Sequence, residues 1–474
     1  MIRMTLAEVA HAVSGTLHTR GDDTAQTVVA GTVDTDSRLM GPGDVFVAKP
    51  GEVTDGHRFV DVAVAAGAAL AIVERPVEAP VSQIVVADAV AALADLAREV
   101  VARVRAAGDL KIVGITGSNG KTTTKNLLAR ILQDEGPTVA PRASYNNEVG
   151  APVTMLRVAD DTRFLVSELG ASRPGRIAEL AGLITPDVGA VLMVGMAHAG
   201  GFGGVEATQR AKSELVAAIR PGGVAVLNAD DPRVAAMADV ARERGVAVRW
   251  FGRGSGVEGR AEVRAEDVEV TASGTSATVV ADGERIPLRL RVLGEHHIMN
   301  ALAAITIAQA LGVAPARAIA RLETVEIAER WRMQPLGSDR VRIINDAYNA
   351  SPDSMSAALR TLAQITGPGQ RKVAVLGAMS ELGEHAGEEH DRVGLLAVRL
   401  RFERIVVIGR DARRLYLAAI GEGSWDGEAV FFETQDEAYA YLLAELRDGD
   451  RVLVKSSNSA GLRHLGDRLG ESFS

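Results

Sequence analysis

The chain has no cysteine, so it holds no disulfide, no thiolate metal site and no cysteine nucleophile, and a disulfide-stapled extracellular scaffold is excluded. Aromatic residues are scarce, at 4%, while Ala, Val, Leu and Gly dominate, which suits helices packed tightly on parallel sheets rather than an aromatic-rich all-β fold. No block of Lys or Arg stands out. With 52 basic and 61 acidic residues giving a net charge of −9, general nucleic-acid binding is not expected, although local charges can still hold an anion of nucleotide size. No uninterrupted apolar run reaches the length of a membrane span, and Met1–Val9 lacks a long apolar segment, so the expectation is a cytoplasmic chain without membrane insertion. What is present is bulk: 474 residues, 47% hydrophobic, exceed what one core sustains and suggest about three domains.

The stretch Gly114-Ile-Thr-Gly-Ser-Asn-Gly-Lys-Thr-Thr-Thr124 organises the rest. It joins a buried-strand pattern, Leu110–Ile115, to a helical one, Lys121–Gln133, which is the setting a phosphate-cradling loop requires. Backbone N–H groups from Thr116 to Thr123 would face the phosphates, Lys121 would reach the outer ones, and the Thr122 hydroxyl would ligate Mg²⁺. The usual pattern G-x-x-x-x-G-K-[ST] asks for glycine where Ile115 stands, so the match to a generic P-loop is incomplete.

Around this loop the predicted elements alternate as in an α/β protein of three domains, with divisions expected at 84/85 and 325/326. Residues 1–84 read as a small α/β unit with strands over Thr27–Val33, Asp44–Ala48 and Ala69–Val73, and a helix opened by Asp55-Gly-His-Arg-Phe59. Residues 85–325 begin with a long alanine-rich helix, Val90–Ala107. Strand patterns follow at Phe164–Ser167, Val188–Val194, Val224–Leu227 and Val246–Phe251, a mostly parallel sheet to which residues 261–293 add antiparallel strands. Helices are expected at His296–Leu311 and Pro315–Val325. Residues 326–474 repeat the alternation as a Rossmann-like α/β domain, with strands at Val341–Ile344, Val373–Leu376, Ile405–Ile408, Val430–Phe432 and Val452–Val454.

Chemistry-bearing residues gather just beyond strands. Glu168 ends Phe164-Leu-Val-Ser-Glu, where an open parallel sheet collects its ligand site, and a buried carboxylate there needs a cation such as Mg²⁺. A helix cap or salt bridge is the alternative. His198 lies in the glycine-rich loop Ala197-His-Ala-Gly-Gly-Phe-Gly-Gly204 and suits either a structural or a ligand role. Lys212, on a helix, reads from spacing alone as a solvated surface lysine. Tyr145-Asn-Asn147 and Asn345-Asp-Ala-Tyr-Asn-Ala-Ser-Pro-Asp353 suit turns or the binding of sugar hydroxyls and phosphates.

Taken together these residues resemble the Mur ligase family, ATP-dependent amide-bond formers of bacterial cell-wall precursor synthesis, along all three domains. Gly114-x-Thr-Gly-Ser-Asn-Gly-Lys-Thr-Thr is similar to that family's own P-loop, which accounts for Ile115. The resemblance implies metal ligation by Thr122, Glu168 and His198, and a carbamylated Lys212, formed from CO₂, holding a second Mg²⁺. Catalytic roles fall to Lys121, His198 and Lys212. ATP binding is implied for Thr116, Gly117, Ser118, Asn119, Gly120, Lys121, Thr122, Thr123, Asn300, Arg332, Asp346 and Asn349. In Gly294-Glu-His-His-Ile-Met-Asn300, His297 stands where the family carries Asn.

Asp346–Met355 and Leu376–Gly383 resemble the branch of the family that adds D-alanyl-D-alanine, and Val33–Arg38 with Asp55-Gly-His57 resembles its uridine-nucleotide-binding first domain. Uridine-substrate contacts are accordingly implied for Ser37, Arg38, Asp55, Gly56, His57, Asn146 and Asn147. The Asp-Asn-Pro-Arg motif of the diaminopimelate- or lysine-adding sibling is absent, and Lys455-Ser-Ser-Asn-Ser459 departs from the expected Lys-Gly-Ser-Arg-Ser. The implied reaction joins UDP-N-acetylmuramoyl (UDP-MurNAc) tripeptide to D-Ala-D-Ala with ATP and Mg²⁺, carried out by a monomer. The sibling ligase, or a nucleotide-dependent regulatory ATPase that ligates nothing, is the alternative. A folylpolyglutamate synthetase is disfavoured by the full domain before the P-loop, and a cyanophycin synthetase would need an additional ATP-grasp region.

Overall fold

The computed structural model describes all residues except 52–53, 143, 171–172, 197–203, 255–260, 326–329 and 424–426. Within the described residues the chain is α/β and builds three main sheets.

In the first unit Thr5 caps helix α1 (Leu6–Ala12) through a reciprocal capping box with Glu8. Strands β1 (Thr16–His18), β2 (Val33–Asp34), β3 (Val45–Val47), β4 (Leu70–Val73) and β5 (Ser82–Val85) form a sheet in the order β1-β5-β4-β3-β2. The helix expected after Asp55 begins as a 3₁₀ turn, Gly56–Phe59, and continues as α2 (Val60–Ala65). The expected single strand Thr27–Val33 is two short ones, Val28–Val29 pairing with Met4–Thr5, and β2. The break falls at Gly31, where a Cβ would lie 2.2 Å from the Gly43 carbonyl oxygen. Strands β1, β5 and Met4–Thr5 are not anticipated from the sequence; two to four residues carry too little periodicity to register.

Helix α3 (Ala89–Ala107), capped by Asp88, joins this unit to the next. Its Leu93, Leu96, Val100 and Val104 share one core with Leu6, Leu70 and Ile84 on one side and Ile112, Leu165 and Ile184 on the other.

The central sheet contains β6 (Lys111–Thr116), β7 (Thr138–Val139), β8 (Phe164–Glu168), β9 (Val188–Val191), β10 (Val224–Asn228), β11 (Ala247–Gly252), β12 (Val263–Thr271), β13 (Gly274–Ala281) and β14 (Glu284–Leu290). Their order is β14-β13-β12-β11-β10-β9-β6-β8-β7, parallel from β7 to β12 and antiparallel from β12 to β14. Helices α4 (Lys121–Leu132), α5 (Gly150–Met155), α6 (Arg176–Ile184), α7 (Val205–Ala218), α8 (Glu295–Ala310) and α9 (Pro315–Leu322) accompany it. The predicted strand Val188–Val194 leaves the sheet after Val191, because Leu192 and Met193 turn their carbonyls to the Asn228 amide and the Ser118 N–H.

The third sheet runs in the order β15 (Gln334–Gly337), β16 (Arg342–Asn345), β20 (Asp450–Lys455), β17 (Arg371–Leu376), β18 (Arg404–Ile408), β19 (Ala429–Phe432). It is parallel except for β15, which the sequence pattern did not reveal. Helix α10 (Pro352–Ile365) starts from a Ser351/Ser354 capping box with Pro352 in its first turn, where proline's missing N–H costs nothing. Apolar residues on the two faces of this sheet form separate cores around Leu359 and Leu376, and around Val375 and Leu465. Among the described residues, no helix is long and apolar enough to cross a membrane.

Candidate active site

Strand β6 sits between β9 and β8, and the three end level with one another: Val191 pairs with Thr116, and Glu168 with Ile115. Beyond them the chain turns through Gly117–Gly120 into α4. Gly120 takes φ 85°, ψ −10°, a left-handed conformation that favours glycine, and a Cβ there would lie 2.3 Å from Asn300 Oδ1. The helix opens without a side-chain cap, leaving its first N–H groups free for an anion. The loop itself is tightly held. Thr116 Oγ1 donates to the Leu169 carbonyl (2.9 Å), and Ser118 Oγ accepts from Gly195 N (2.9 Å) and donates to Gly195 O (3.2 Å).

Two cations and one carboxylate meet here. Lys121 Nζ donates to the Gly117 carbonyl at 2.7 Å, and burial pushes its pKa down while Glu168 opposes that shift. Glu168 is 1% exposed; its Oε1 accepts from Asn146 Nδ2 at 2.8 Å, and its Oε2 is buried without a partner. Lys212 contradicts the reading as a surface lysine: it is 4% exposed and makes no hydrogen bond or ion pair among the described residues. The reason lies in the strands. Gly114 and Gly189 are register partners on β6 and β9, and a Cβ on either would collide with Leu215 or Ile219, so α7 lies directly on the sheet. Lys212 is one turn before Leu215 and shares its buried face. Burial, followed by repulsion from Lys121, pulls the Lys212 pKa down to about 7.

The third unit closes on this loop. Arg332 Nη2 donates to Thr122 Oγ1 (3.2 Å) while its guanidinium stacks on Tyr348, 4.2 Å from the ring centroid. Thr122 Oγ1 also meets Ser144 Oγ (3.1 Å), to which Tyr348 Oη donates (3.3 Å), and Ser351 Oγ donates to Asn119 Oδ1 (3.1 Å). Asp346 spends its carboxylate inside the third unit, accepting from Met333 N (3.0 Å) and pairing with the buried Lys455 Nζ (2.6 Å), which also donates to the Asn349 carbonyl (3.1 Å). Asn300 lies against Gly120, and Thr124 Oγ1 donates to its Oδ1 at 3.4 Å. Thr123 is half-buried in the same turn of α4, and Asn349 is exposed. His297 is buried with neither ring nitrogen bonded, and burial holds its pKa well below the usual histidine range. His198 lies outside the described residues.

The residues expected to contact a uridine substrate do not form one group. Asn146 belongs to the P-loop mouth through Glu168, and Asn147 Oδ1 caps α5 by accepting from Gly150 N (2.8 Å). His57 spends both ring nitrogens on the fold, against Asp55 Oδ1 (2.6 Å) and Glu74 N (2.8 Å). Asp55 also pairs with Arg75, and Gly56 N bonds the Lys49 carbonyl (2.9 Å). Ser37 is buried, whereas Arg38 is exposed and paired with Asp36. Tyr348 and Ser351 lie in the polar cluster Asn345–Asp353 and Lys455 opens the segment Lys455–Ser459, but none of them is singled out by the sequence as a site residue, and Ser144 is not flagged at all.

A P-loop, a carboxylate at the end of the neighbouring strand and a third unit that meets the loop at Thr122 and Asn119 define an ATP-handling α/β protein. Family models agree along most of the chain: the Mur ligase family catalytic domain over residues 31–105, the Mur ligase middle domain over 115–308, and the Mur ligase glutamate ligase domain over 331–458. The chain is 42% identical to UDP-N-acetylmuramoyl-tripeptide--D-alanyl-D-alanine ligase of Mycobacterium tuberculosis, covering 99% of this chain and 98% of the relative. It is 32% identical to the Escherichia coli protein of that name, over 100% and 99%. Crystal structure I of MurF from Acinetobacter baumannii superposes with a TM-score of 0.87 at 33% identity, covering 99% of each chain. MurF from Thermotoga maritima in complex with ADP gives 0.79 at 27% identity, over 94% and 98%. The chain belongs to the Mur ligase family.

Proposed function

We propose that this protein is the ligase that joins the terminal carboxylate of UDP-MurNAc-tripeptide to the amine of D-Ala-D-Ala, with ATP cleaved to ADP and phosphate. Full-length likeness to relatives of that name supports the substrates. The observation that carries the chemistry is the meeting of Arg332 with the P-loop Thr122, which joins the third unit to the nucleotide cradle.

A carboxylate is a poor electrophile, so it is first phosphorylated. Its oxygen takes the γ-phosphoryl group to give an acyl phosphate and ADP; the amine then adds to the carbonyl carbon, and the tetrahedral intermediate expels phosphate. Phosphoryl transfer needs positioning and charge neutralisation more than covalent help. Lys121 and the free N–H groups at the start of α4 supply that for the phosphates. An α-amino group has a pKa of about 7.7–8.0, so deprotonating it at pH 7 costs only roughly 1–1.4 kcal/mol, and no strong protein base is required.

The donor set fits a hard cation. Thr122 Oγ1 and the unpartnered Glu168 Oε2 are oxygens, and among the described residues no cluster of three acidic or imidazole groups forms a metal site by itself. Mg²⁺ suits that sparse set because it keeps waters and takes phosphate oxygens, and when bound it supplies charge neutralisation at the phosphates. Two ions are assigned, with Thr122, Glu168, His198 and Lys212 as their ligands. Lys212 is assigned as a carbamate, whose oxygens attract the cation that an ammonium would repel. Its amine adds to CO₂ with loss of one proton, and burial with a pKa near 7 favours the neutral amine that this requires.

Residues 1–84 are assigned to the uridine end of the acceptor, through Ser37, Arg38, Asp55, Gly56 and His57 as contacts or shape. Residues 85–325 are assigned to ATP and the reacting carboxylate, and residues 326–474 to the dipeptide and to closure over the nucleotide. The test is phosphate release from ATP with UDP-MurNAc-tripeptide, with and without D-Ala-D-Ala. Release that requires both supports the ligase; release indifferent to both makes the chain a regulatory ATPase, and preference for a single amino acid makes it the sibling ligase.

A further inference from the structure

Two of the oxygen ligands assigned to the metal ions, Thr122 and Glu168, are buttressed by one short segment. Ser144 Oγ meets Thr122 Oγ1 at 3.1 Å, and two residues later Asn146 Nδ2 donates to Glu168 Oε1 at 2.8 Å. Asn146 is itself fixed from two sides. Its carbonyl accepts from Gly170 N at 3.0 Å, and its side chain fills the space a Cβ on Gly170 would need, 2.8 Å from Asn146 Cγ. Asn147 then anchors the segment to α5 through Gly150 N.

The consequence for Glu168 is chemical. An ionised carboxylate accepts at both oxygens, and rotation about its last bond would exchange them. The Asn146 amide takes Oε1 and so holds Oε2, which has no partner and is fully buried, at the P-loop mouth. An amide donor suits this role because it is neutral, it cannot compete for the cation through its N–H, and it orients the carboxylate without neutralising it.

We propose that Asn146 is a positioning residue for the metal-ligating carboxylate Glu168, not a contact to the uridine substrate, an assignment that rests on the ligase reading for the identity of the cation. Outer-shell partners of this kind cost about 10–100-fold in metal affinity when removed.

The test uses the full chain with ADP and Mn²⁺, counting bound Mn²⁺ by electron paramagnetic resonance, alongside KM values for Mg·ATP and UDP-MurNAc-tripeptide. Asn146→Ala is expected to weaken Mn²⁺ about tenfold or more and to leave the acceptor KM within about twofold. Asn146→Asp, nearly isosteric and therefore expected to keep the fold where Ala does not, replaces the N–H donor with a carboxylate oxygen that repels Glu168 Oε1, and is expected to bind Mn²⁺ no more tightly than the native chain although it adds a negative charge. Mn²⁺ affinity unchanged in Asn146→Ala, or tighter than native in Asn146→Asp, overturns the proposal, and a raised acceptor KM with native Mn²⁺ affinity returns Asn146 to the uridine substrate. The Mn²⁺ readout needs no turnover, so failure of the ligase reading in the phosphate-release assay is a separate outcome.

Discussion

Arg332 donates to the Thr122 hydroxyl across 3.2 Å, bridging the third unit to the first turn of the helix behind the P-loop. That same hydroxyl is the oxygen assigned to Mg²⁺, and a guanidinium and a divalent cation repel each other at such a distance. Arg332 is therefore expected to leave Thr122 when metal and nucleotide bind, its stack on Tyr348 holding it near enough to turn onto a phosphate instead. Arg332→Ala is expected to lower kcat/KM for ATP about 10–100-fold, the range for a hydrogen bond to a charged group. Arg332→Lys is expected to recover little of it, since an ammonium reproduces neither the planar stack nor a two-pronged phosphate contact. Steady-state kinetics with ATP varied at saturating acceptor and dipeptide check both.

Lys212 offers a chemical rescue. Lys212→Ala is expected to be nearly inactive and to regain part of its activity with formate or acetate, which place a carboxylate where the carbamate stood. Full activity of the unrescued variant would remove the carbamate from the mechanism. A readout independent of turnover is a ¹³C carbamate resonance in native protein equilibrated with ¹³CO₂, absent from Lys212→Arg.

How far the sequence carried is clearest at this lysine. Ala211-Lys-Ser-Glu214 has the spacing of an exposed helix face, and only the packing of α7 onto Gly114 and Gly189 decides that Lys212 faces inward. The two glycines were visible in the strand patterns, but their pairing in register was not, because register between β6 and β9 is a tertiary property. The P-loop, Glu168 at its strand end and the alternation in the second and third units were legible, since each rests on local periodicity or a contiguous motif. Asn146 was assigned by resemblance to the uridine substrate, and only the folded chain shows its amide on Glu168. Asp346 and Lys455 are 109 residues apart, and no local pattern could have paired them.

The third unit depends on a buried ion pair away from the site. Arg371 clasps Asp450 through Nε (2.9 Å) and Nη2 (2.8 Å) and reaches Glu445 through Nη1 (2.7 Å), while the Asp450 side chain is fully buried. These bonds raise the Arg371 pKa, so its guanidinium stays charged across the accessible pH range. Arg371→Met strands a carboxylate in the core and is expected to cost about 3–5 kcal/mol, measured by urea unfolding. Replacing Asp450 by Asn in the Arg371→Met background removes the stranded charge and is expected to return part of that loss. Nucleotide affinity of the folded fraction should be nearly native, because neither residue touches the P-loop.

Gly120 couples backbone conformation to nucleotide binding, and its replacement separates two penalties. Gly120→Ala forces an alanine to φ 85°, at a cost of roughly 1–2 kcal/mol, and drives a methyl group to 2.3 Å from Asn300 Oδ1. The loop relieves both by rotating its amides off the phosphate position, so ADP affinity measured by calorimetry is expected to fall at least about tenfold. Asn300→Ala in the same chain removes the collision but not the left-handed backbone. The double variant is therefore expected to recover part of the ADP affinity lost in Gly120→Ala. Asn300→Ala alone should lose little if Asn300 only braces the loop, as its approach to Thr124 Oγ1 and Gly120 suggests. A large loss of ADP affinity in Asn300→Ala alone would instead make Asn300 a direct nucleotide contact, and the double variant would then recover nothing.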